Sequence, residues 1–393
     1  MAHSTPHSER TNITLFGRCN SGKSSLINAL TTQATAIVSE QAGTTTDPVI
    51  KAMEITDVGA CIIIDTAGFD DTTALGAERT AKTRKMLERT DITILLFTDV
   101  EPSEELKWLE ELRRRGIQTI AVLSQCDRYA DSQALACEIE KQSGLKPICI
   151  SAHTGEGLEE LRKEIVKLAD NEERLLTEGF CKAGDTVLLV MPQDAQAPKG
   201  RLIKPQVQTL RELLDRGCNA LCCTAEGMES ALAALAAPPQ LIITDSQVFD
   251  KVYNLKPESS TLTSFSVLFA RYKGDIGLFA EGAKHLLSLP ATARILIAEA
   301  CTHTPQHEDI GRVKLPRMLR RKLGEEIVID IVDGADFPED LTPYDLVIHC
   351  GACMFNRRHV MSRVMRAQKQ NIPITNYGIA IAALTGILGR IKY

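Results

Sequence analysis

The run Gly17-Arg18-Cys19-Asn20-Ser21-Gly22-Lys23-Ser24 constrains this chain more than any other feature. It has the spacing of a phosphate-binding loop and sits between a short apolar run, Ile13 to Phe16, and a helical pattern from Ser25 to Leu30. In a strand, loop and helix of this kind, Gly17 and Gly22 let the backbone curl until successive N–H groups converge on a polyphosphate. The positive end of the following helix adds to the attraction. Lys23 then reaches the outer phosphates, and the Ser24 hydroxyl is placed to ligate Mg²⁺.

A chain of 393 residues is too long for one ordinary core, so two or three domains are expected. No apolar run approaches a membrane span, and Met1 to Asn12 is polar rather than a signal-peptide core, so the reading is a cytoplasmic protein with no membrane contact. The net charge of -6 and an aromatic content of 4% argue against nucleic acid as the partner, because phosphate backbones select basic faces and bases need stacking platforms. The 12 cysteines are spread over a long chain whose first domain needs nucleotide and Mg²⁺, which points to a reducing compartment. Cys61, Cys126, Cys137 and Cys149 lie in apolar patterns and read as core residues, and Cys218 to Cys223 reads as a buried strand.

Downstream motifs extend the first. Ala36 to Asp47 is polar, without periodicity, and carries Thr44 and Thr45, where a switch loop supplies a second hydroxyl to Mg²⁺. Cys61 to Ile64 is an apolar strand ending in Asp65-Thr66-Ala67-Gly68; Asp65 can hold Mg²⁺ through water and the Gly68 N–H can touch the γ-phosphate. Ile92 to Phe97 and Thr119 to Leu123 are further buried strands separated by a helix near Glu104 to Arg115. The second runs into Ser124-Gln125-Cys126-Asp127, and Pro147 to Ile150 runs into Ser151-Ala152-His153. Such alternation implies an α/β fold with a mainly parallel sheet and its ligand at the strand carboxyl ends.

This ordered set resembles the five motifs of small GTPases, closest to the Era and tRNA-modifying branch. The resemblance implies GTP as substrate, contacts from Gly17 through Ser25 and from Thr44 and Thr45, guanine held by Asp127, and guanine O6 met by the Ser151-Ala152 backbone. The family's Asn-Lys-x-Asp is Ser124-Gln125-Cys126-Asp127 here, which implies weaker affinity. Phe69 stands where Ras-like enzymes carry a water-orienting glutamine. In related GTPases without it, an asparagine at the position of Asn20 ligates K⁺, so Asn20 joins Lys23, Thr45 and Gly68 in the expected catalytic set.

The middle of the chain, 173–273, reads as another α/β unit with strands at Thr186 to Val190, Asn219 to Cys223 and Leu241 to Thr244 and no glycine-rich phosphate loop. Its modest reading is dimerisation. In the last part, 274–393, the strand Arg294 to Ala300 runs into Cys301-Thr302-His303, and Asp345 to Ile348 runs into His349-Cys350-Gly351-Ala352-Cys353. If both strands are parallel members of one sheet, three cysteines and two histidines share one edge. That set admits an iron–sulfur cluster, a tetrahedral zinc, or a redox dithiol of Cys350 and Cys353.

The whole chain resembles the maturation GTPases of FeFe hydrogenases, the HydF family, with a GTPase domain over 1–172, a middle dimerisation domain over 173–273 and an iron–sulfur domain over 274–393. The resemblance implies a 4Fe-4S cluster on Cys301, Cys350 and Cys353, with His303, His349, Glu299 or an exogenous group as candidate fourth ligand. It also implies a homodimer that carries a diiron precursor, built with radical-SAM maturases of the HydE and HydG type, to apo FeFe-hydrogenase. Asn356, Arg357, Arg358, Arg312 and Lys314 are candidates to face that cargo or an acidic partner. The alternative is a GTPase of RNA modification or ribosome assembly with a structural zinc.

Overall fold

The computed structural model describes residues 10–32, 36–41, 49–55, 58–66, 68, 83–84, 86–98, 101–169, 174–192, 202–300, 310–334, 336–352 and 355–393. They fall into two compact units, Met1–Glu173 and Arg174–Tyr393.

The first unit is one seven-stranded sheet: β1 (Thr11–Phe16), β2 (Ala36–Gln41), β3 (Val49–Ile55), β4 (Gly59–Asp65), β5 (Ile92–Phe97), β6 (Gln118–Ser124) and β7 (Ile148–Ile150), in the spatial order β2-β3-β4-β1-β5-β6-β7. The strands from β4 to β7 in that order are parallel, and all six residues of β5 are buried, as a sheet covered on both faces demands. Alternate strand residues feed two cores. On one face Leu26, Ile27 and Leu30 of α1 (Lys23–Thr32) meet the sheet; on the other lie Trp108, Leu109 and Leu112 of α2 (Ser103–Arg114) and Leu135, Ala136 and Ile139 of α3 (Ser132–Ser143). Leu158, Leu161 and Ile165 of α4 (Leu158–Ala169) complete the first face. The segment read as aperiodic begins instead with β2, which pairs antiparallel with β3, itself antiparallel to β4. A register shift between Ile37 and Ser39 breaks the alternation that would have revealed the strand.

The second unit holds two parallel four-stranded sheets. The first contains β8 (Thr186–Val190), β9 (Asn219–Cys223), β10 (Leu241–Thr244) and β11 (Thr261–Ser264), in the order β11-β10-β8-β9. The second contains β12 (Arg294–Ala298), β13 (Val328–Val332), β14 (Leu346–His349) and β15 (Ile374–Asn376), in the order β13-β12-β14-β15. Their helices are α5 (Lys204–Asp215), α6 (Met228–Ala233), α7 (Phe249–Leu255), α8 (Phe265–Lys273), α9 (Ile276–Leu286), α10 (Leu315–Leu323), α11 (Arg357–Lys369) and α12 (Tyr377–Leu384). One unit results because helices are shared. α8 gives Leu268 to the core of the first sheet and Val267 and Ala270 to that of the second, and α12, apolar all round, places Ala382 against one sheet and Ala380 against the other.

Two cysteine readings change. β9 is an edge strand, so Cys222 is exposed and Cys223 half-buried rather than core; Cys218, just before it, is buried with its Sγ 3.8 Å from that of Cys181. Cys137 is exposed on α3, whereas Cys61 and Cys126 are buried as the apolar patterns predict. Among the described residues no helix is long and apolar enough to cross a membrane.

Candidate functional site

Two loop edges carry the chemistry, one in each unit. In the first unit the loop after β1 closes into α1, with Ser21 N–H donating to Arg18 O at 3.2 Å. Asn20 is left-handed (φ 61) and exposed, and Gly22 has φ 88, a conformation that disfavours a side chain; a Cβ there would also meet Ser124 Oγ at 2.9 Å. Lys23, 8% exposed, turns back and donates to Gly17 O at 2.9 Å and Arg18 O at 2.7 Å. The Arg18 side chain is held by Glu105 of α2 at 2.9 Å, a buried carboxylate that gave no signal in the sequence beyond its helical position.

Ser24 Oγ donates to Asp65 Oδ2 at 2.7 Å. Burial raises the Asp65 carboxyl above the ordinary range, against the Ser24 hydrogen bond and the Lys23 and Lys51 charges. Asp65 Oδ1 and Ser21 Oγ are buried without a hydrogen-bond partner among the described residues. An orphaned carboxylate oxygen beside a serine hydroxyl is the donor set a hydrated Mg²⁺ completes, so these residues fit that ion. Gly68 lies so close to Cys19 that a Cβ would come within 2.4 Å of its backbone nitrogen.

At the base-binding end, a hydrogen bond from Ser151 holds the exposed Asp127 carboxyl below its ordinary range, leaving it ionised as a two-oxygen acceptor. Ser151 N–H is engaged by Glu156 O at 3.1 Å, which leaves the Ala152 amide as the available donor of the pair. Gln125, left-handed at φ 57, donates from Nε2 to Asn20 O at 2.9 Å and accepts from Arg128 at 2.7 Å. The base loop is thus tied to the phosphate loop by a neutral amide.

In the second unit β12 and β14 are parallel neighbours, with Ala298 opposite His349. Their chain connections leave in opposite directions, to β13 and to β15, so the edge beyond Ala298 and His349 is a topological switch point. Cys350 starts there, and its Sγ accepts from Ala300 N–H at 3.1 Å and Ala352 N–H at 3.4 Å. Ala352 is left-handed, φ 47.

His349 is fully buried and both ring nitrogens are engaged. Arg363 donates to Nε2 at 3.3 Å, so the proton is on Nδ1 and is given to Cys350 O at 2.7 Å. Burial first, then the Arg363 charge, push this imidazole down to about 3, so it is neutral. In this arrangement both His349 ring nitrogens are taken up by protein partners. Glu299 is buried, with its carboxylate on Arg312 at 3.0 Å and near Tyr377 Oη at 3.4 Å. Arg312 also meets Asp333 at 2.8 Å, Arg357 donates to Tyr272 O and Gly274 O, and Asn356 caps α11 by accepting from His359 N–H at 3.2 Å.

Thr44, Thr45, Phe69, Cys301, His303 and Cys353 lie outside the described residues. Among the described residues no group of three or more His, Cys, Asp or Glu is placed to hold a metal ion.

A model of the hydrogen maturase F dimerization domain matches residues 176–274, and one of the hydrogen maturase F tetramerization domain matches residues 277–392. Together they span more than half of the 393 residues. The chain belongs to the hydrogen maturase F family. A third model, of the 50S ribosome-binding GTPases, matches residues 12–125. The first unit thus carries a GTPase domain, and the second carries the family's two association domains.

The similar curated proteins include tRNA modification GTPases. The tRNA modification GTPase MnmE of Azoarcus sp. (strain BH72) is 32% identical over 235 residues, covering 57% of this chain and 46% of that protein. The MnmE of Aquifex aeolicus (strain VF5) is 35% identical over 164 residues, 40% of this chain and 34% of that one. The chain thus spans less than half the length of these relatives. Among solved structures, the G domain of the T. maritima FeoB iron transporter aligns with TM-score 0.33 at 27% identity, over 41% of this chain and 100% of that one.

Proposed function

We propose that this hydrogen maturase F chain is a GTP-driven scaffold that holds a 4Fe-4S cluster at the second unit's switch-point edge and delivers a diiron precursor to apo FeFe-hydrogenase. The observation that carries this reading is the Cys350 sulfur with two backbone amides directed at it. Cys301 and Cys353, which follow β12 and Cys350 in the sequence, supply the other thiolates, and soft thiolates suit iron. The cluster supplies an iron with an open position for cargo. With His349 committed to Arg363 and Cys350 O, that position goes to Glu299, His303 or an exogenous ligand. Radical-SAM maturases build the cargo, the second unit joins chains into a homodimer or larger assembly, and the site of action is the cytoplasm.

In the first unit Lys23 exchanges Gly17 O and Arg18 O for phosphate oxygens, since an ammonium gains more from an anion than from two carbonyls. Ser24 and Asp65 orient Mg²⁺, and Asp127 accepts from the guanine N1–H and exocyclic amine. The Asn20 side chain, exposed on the loop, is the K⁺ ligand, so turnover in KCl exceeds that in NaCl; equal rates remove K⁺ from the account. The proposal as a whole is tested by activation of apo FeFe-hydrogenase with chain produced alongside the maturases. Wild type activates and Cys350→Ser does not; equal activation by both sinks the scaffold reading.

A further inference from the structure

The turn after β14 is held by two basic side chains that neither nucleotide binding nor the cysteine set uses. Lys273, the last residue of α8, is 4% exposed and donates from Nζ to Ala352 O at 2.7 Å and Phe355 O at 2.8 Å. These two carbonyls flank Cys353 and Met354 in the sequence. In the opposite direction Arg357, the first residue of α11, donates to Tyr272 O and Gly274 O, the carbonyls on either side of Lys273. Each element therefore sends a cation into the backbone of the other.

This arrangement has a physical cost that a purely structural contact would avoid. An ammonium taken out of water must recover its hydration from the acceptors it finds, and an apolar side chain of similar length would fill the space without that penalty. The acceptors it finds are carbonyls of a turn whose Ala352 is left-handed, a conformation that an alanine adopts only under constraint. Arg357 lies at the carboxyl end of α8, where the helix dipole favours a cation. The same turn is held at its other end by Arg363, through His349 Nε2 and the Nδ1 bond to Cys350 O.

We propose that Lys273 and Arg357 form a reciprocal lock that sets the position of Cys350 to Ala352 relative to Phe355 and the start of α11, making Lys273 a positioning residue for the metal edge. Lys273 belongs to the segment matched by the dimerization-domain model, and the turn to the segment matched by the tetramerization-domain model. One half of the second unit thus supplies hydrogen bonds to the backbone beside Cys350 in the other. The metal part of this inference rests on the reading that the edge holds an iron–sulfur cluster; the lock itself does not.

The test uses the full chain with Lys273→Met, Lys273→Arg and Arg357→Met, and reads two quantities. In metal-free protein, amide exchange over residues 350–355 speeds up about tenfold in Lys273→Met, while β12 and β14 exchange as in wild type, and Lys273→Arg restores protection. In anaerobically reconstituted protein, Lys273→Met loses iron to a chelator about tenfold faster, the usual scale for a residue that orients a ligand, and its midpoint potential shifts. Should Lys273→Met fail to fold, Arg357→Met opens the lock from the other side and shows the same two changes. Wild-type exchange and wild-type iron release in a folded variant overturn the proposal. If wild type itself takes no iron, the cluster reading falls, and the exchange measurement still decides the lock.

Discussion

Lys23 and Lys273 are two buried lysines, each with its ammonium on two carbonyls of a loop that leaves a parallel strand, yet they do opposite work. The carbonyls of Gly17 and Arg18 precede Lys23 by only five or six residues, so releasing them disturbs nothing but the loop itself. The carbonyls of Ala352 and Phe355 lie 79 and 82 residues from Lys273, so releasing them removes a contact between two segments distant in the chain. A local contact is an exchangeable placeholder for an incoming anion, whereas a long-range contact is a fixture. The first edge is built to receive its ligand, and the second to keep a cysteine turn in place.

That contrast can be broken in several ways. Lys23→Ala removes the placeholder and its phosphate contact together, and GTP turnover falls about 10²- to 10³-fold, the scale of losing one preorganised charge-stabilising donor. Iron content is unchanged; a parallel loss of iron would show that the edges are not independent. Arg363→Met strips the donors from Glu299 O, Gly334 O and His349 Nε2 and lowers the stability of the second unit by about 3 kcal/mol, while nucleotide-protected unfolding of the first unit stays at its wild-type midpoint. Asp127→Asn costs about tenfold to a hundredfold in GTP affinity, the worth of hydrogen bonds to a charged acceptor, and xanthosine triphosphate recovers part of it because its O2 accepts from the new amide. The smallest effect concerns the interiors beneath each edge. Burial pushes the Cys61 thiol up to about 12 and the Cys218 thiol up to about 11, so at pH 8 neither holds the reactive thiolate. Mass spectrometry after alkylation at that pH finds Cys19 and Cys137 modified and these two not; fast labelling of Cys61 would mean that the first core is open.

The phosphate edge was legible in the sequence because its parts are contiguous. Gly17, Gly22, Lys23 and Ser24 act through backbone curl and a helix start, both local properties, and Asp65 ends a strand that reads as apolar. Where the geometry depends on distant partners the reading failed. The partners of His349 were not legible because the guanidinium at its Nε2 comes from Arg363, 14 residues further on in α11. Arg357 looked like a surface cation because its acceptors are carbonyls 83 and 85 residues back. Cys222 looked buried because an apolar run does not reveal whether its strand is central or at an edge. The β2–β3 pair escaped because an antiparallel addition interrupts an otherwise parallel order and its first strand carries a register shift.

The most direct test of the central claim is iron, sulfide and zinc content with an EPR spectrum after anaerobic reconstitution and dithionite reduction, on wild type and on Cys350→Ser. The account predicts one 4Fe-4S cluster per chain in wild type, with a reduced signal that is lost in the variant. Stoichiometric zinc without iron, or a cluster that survives loss of Cys350, would contradict it.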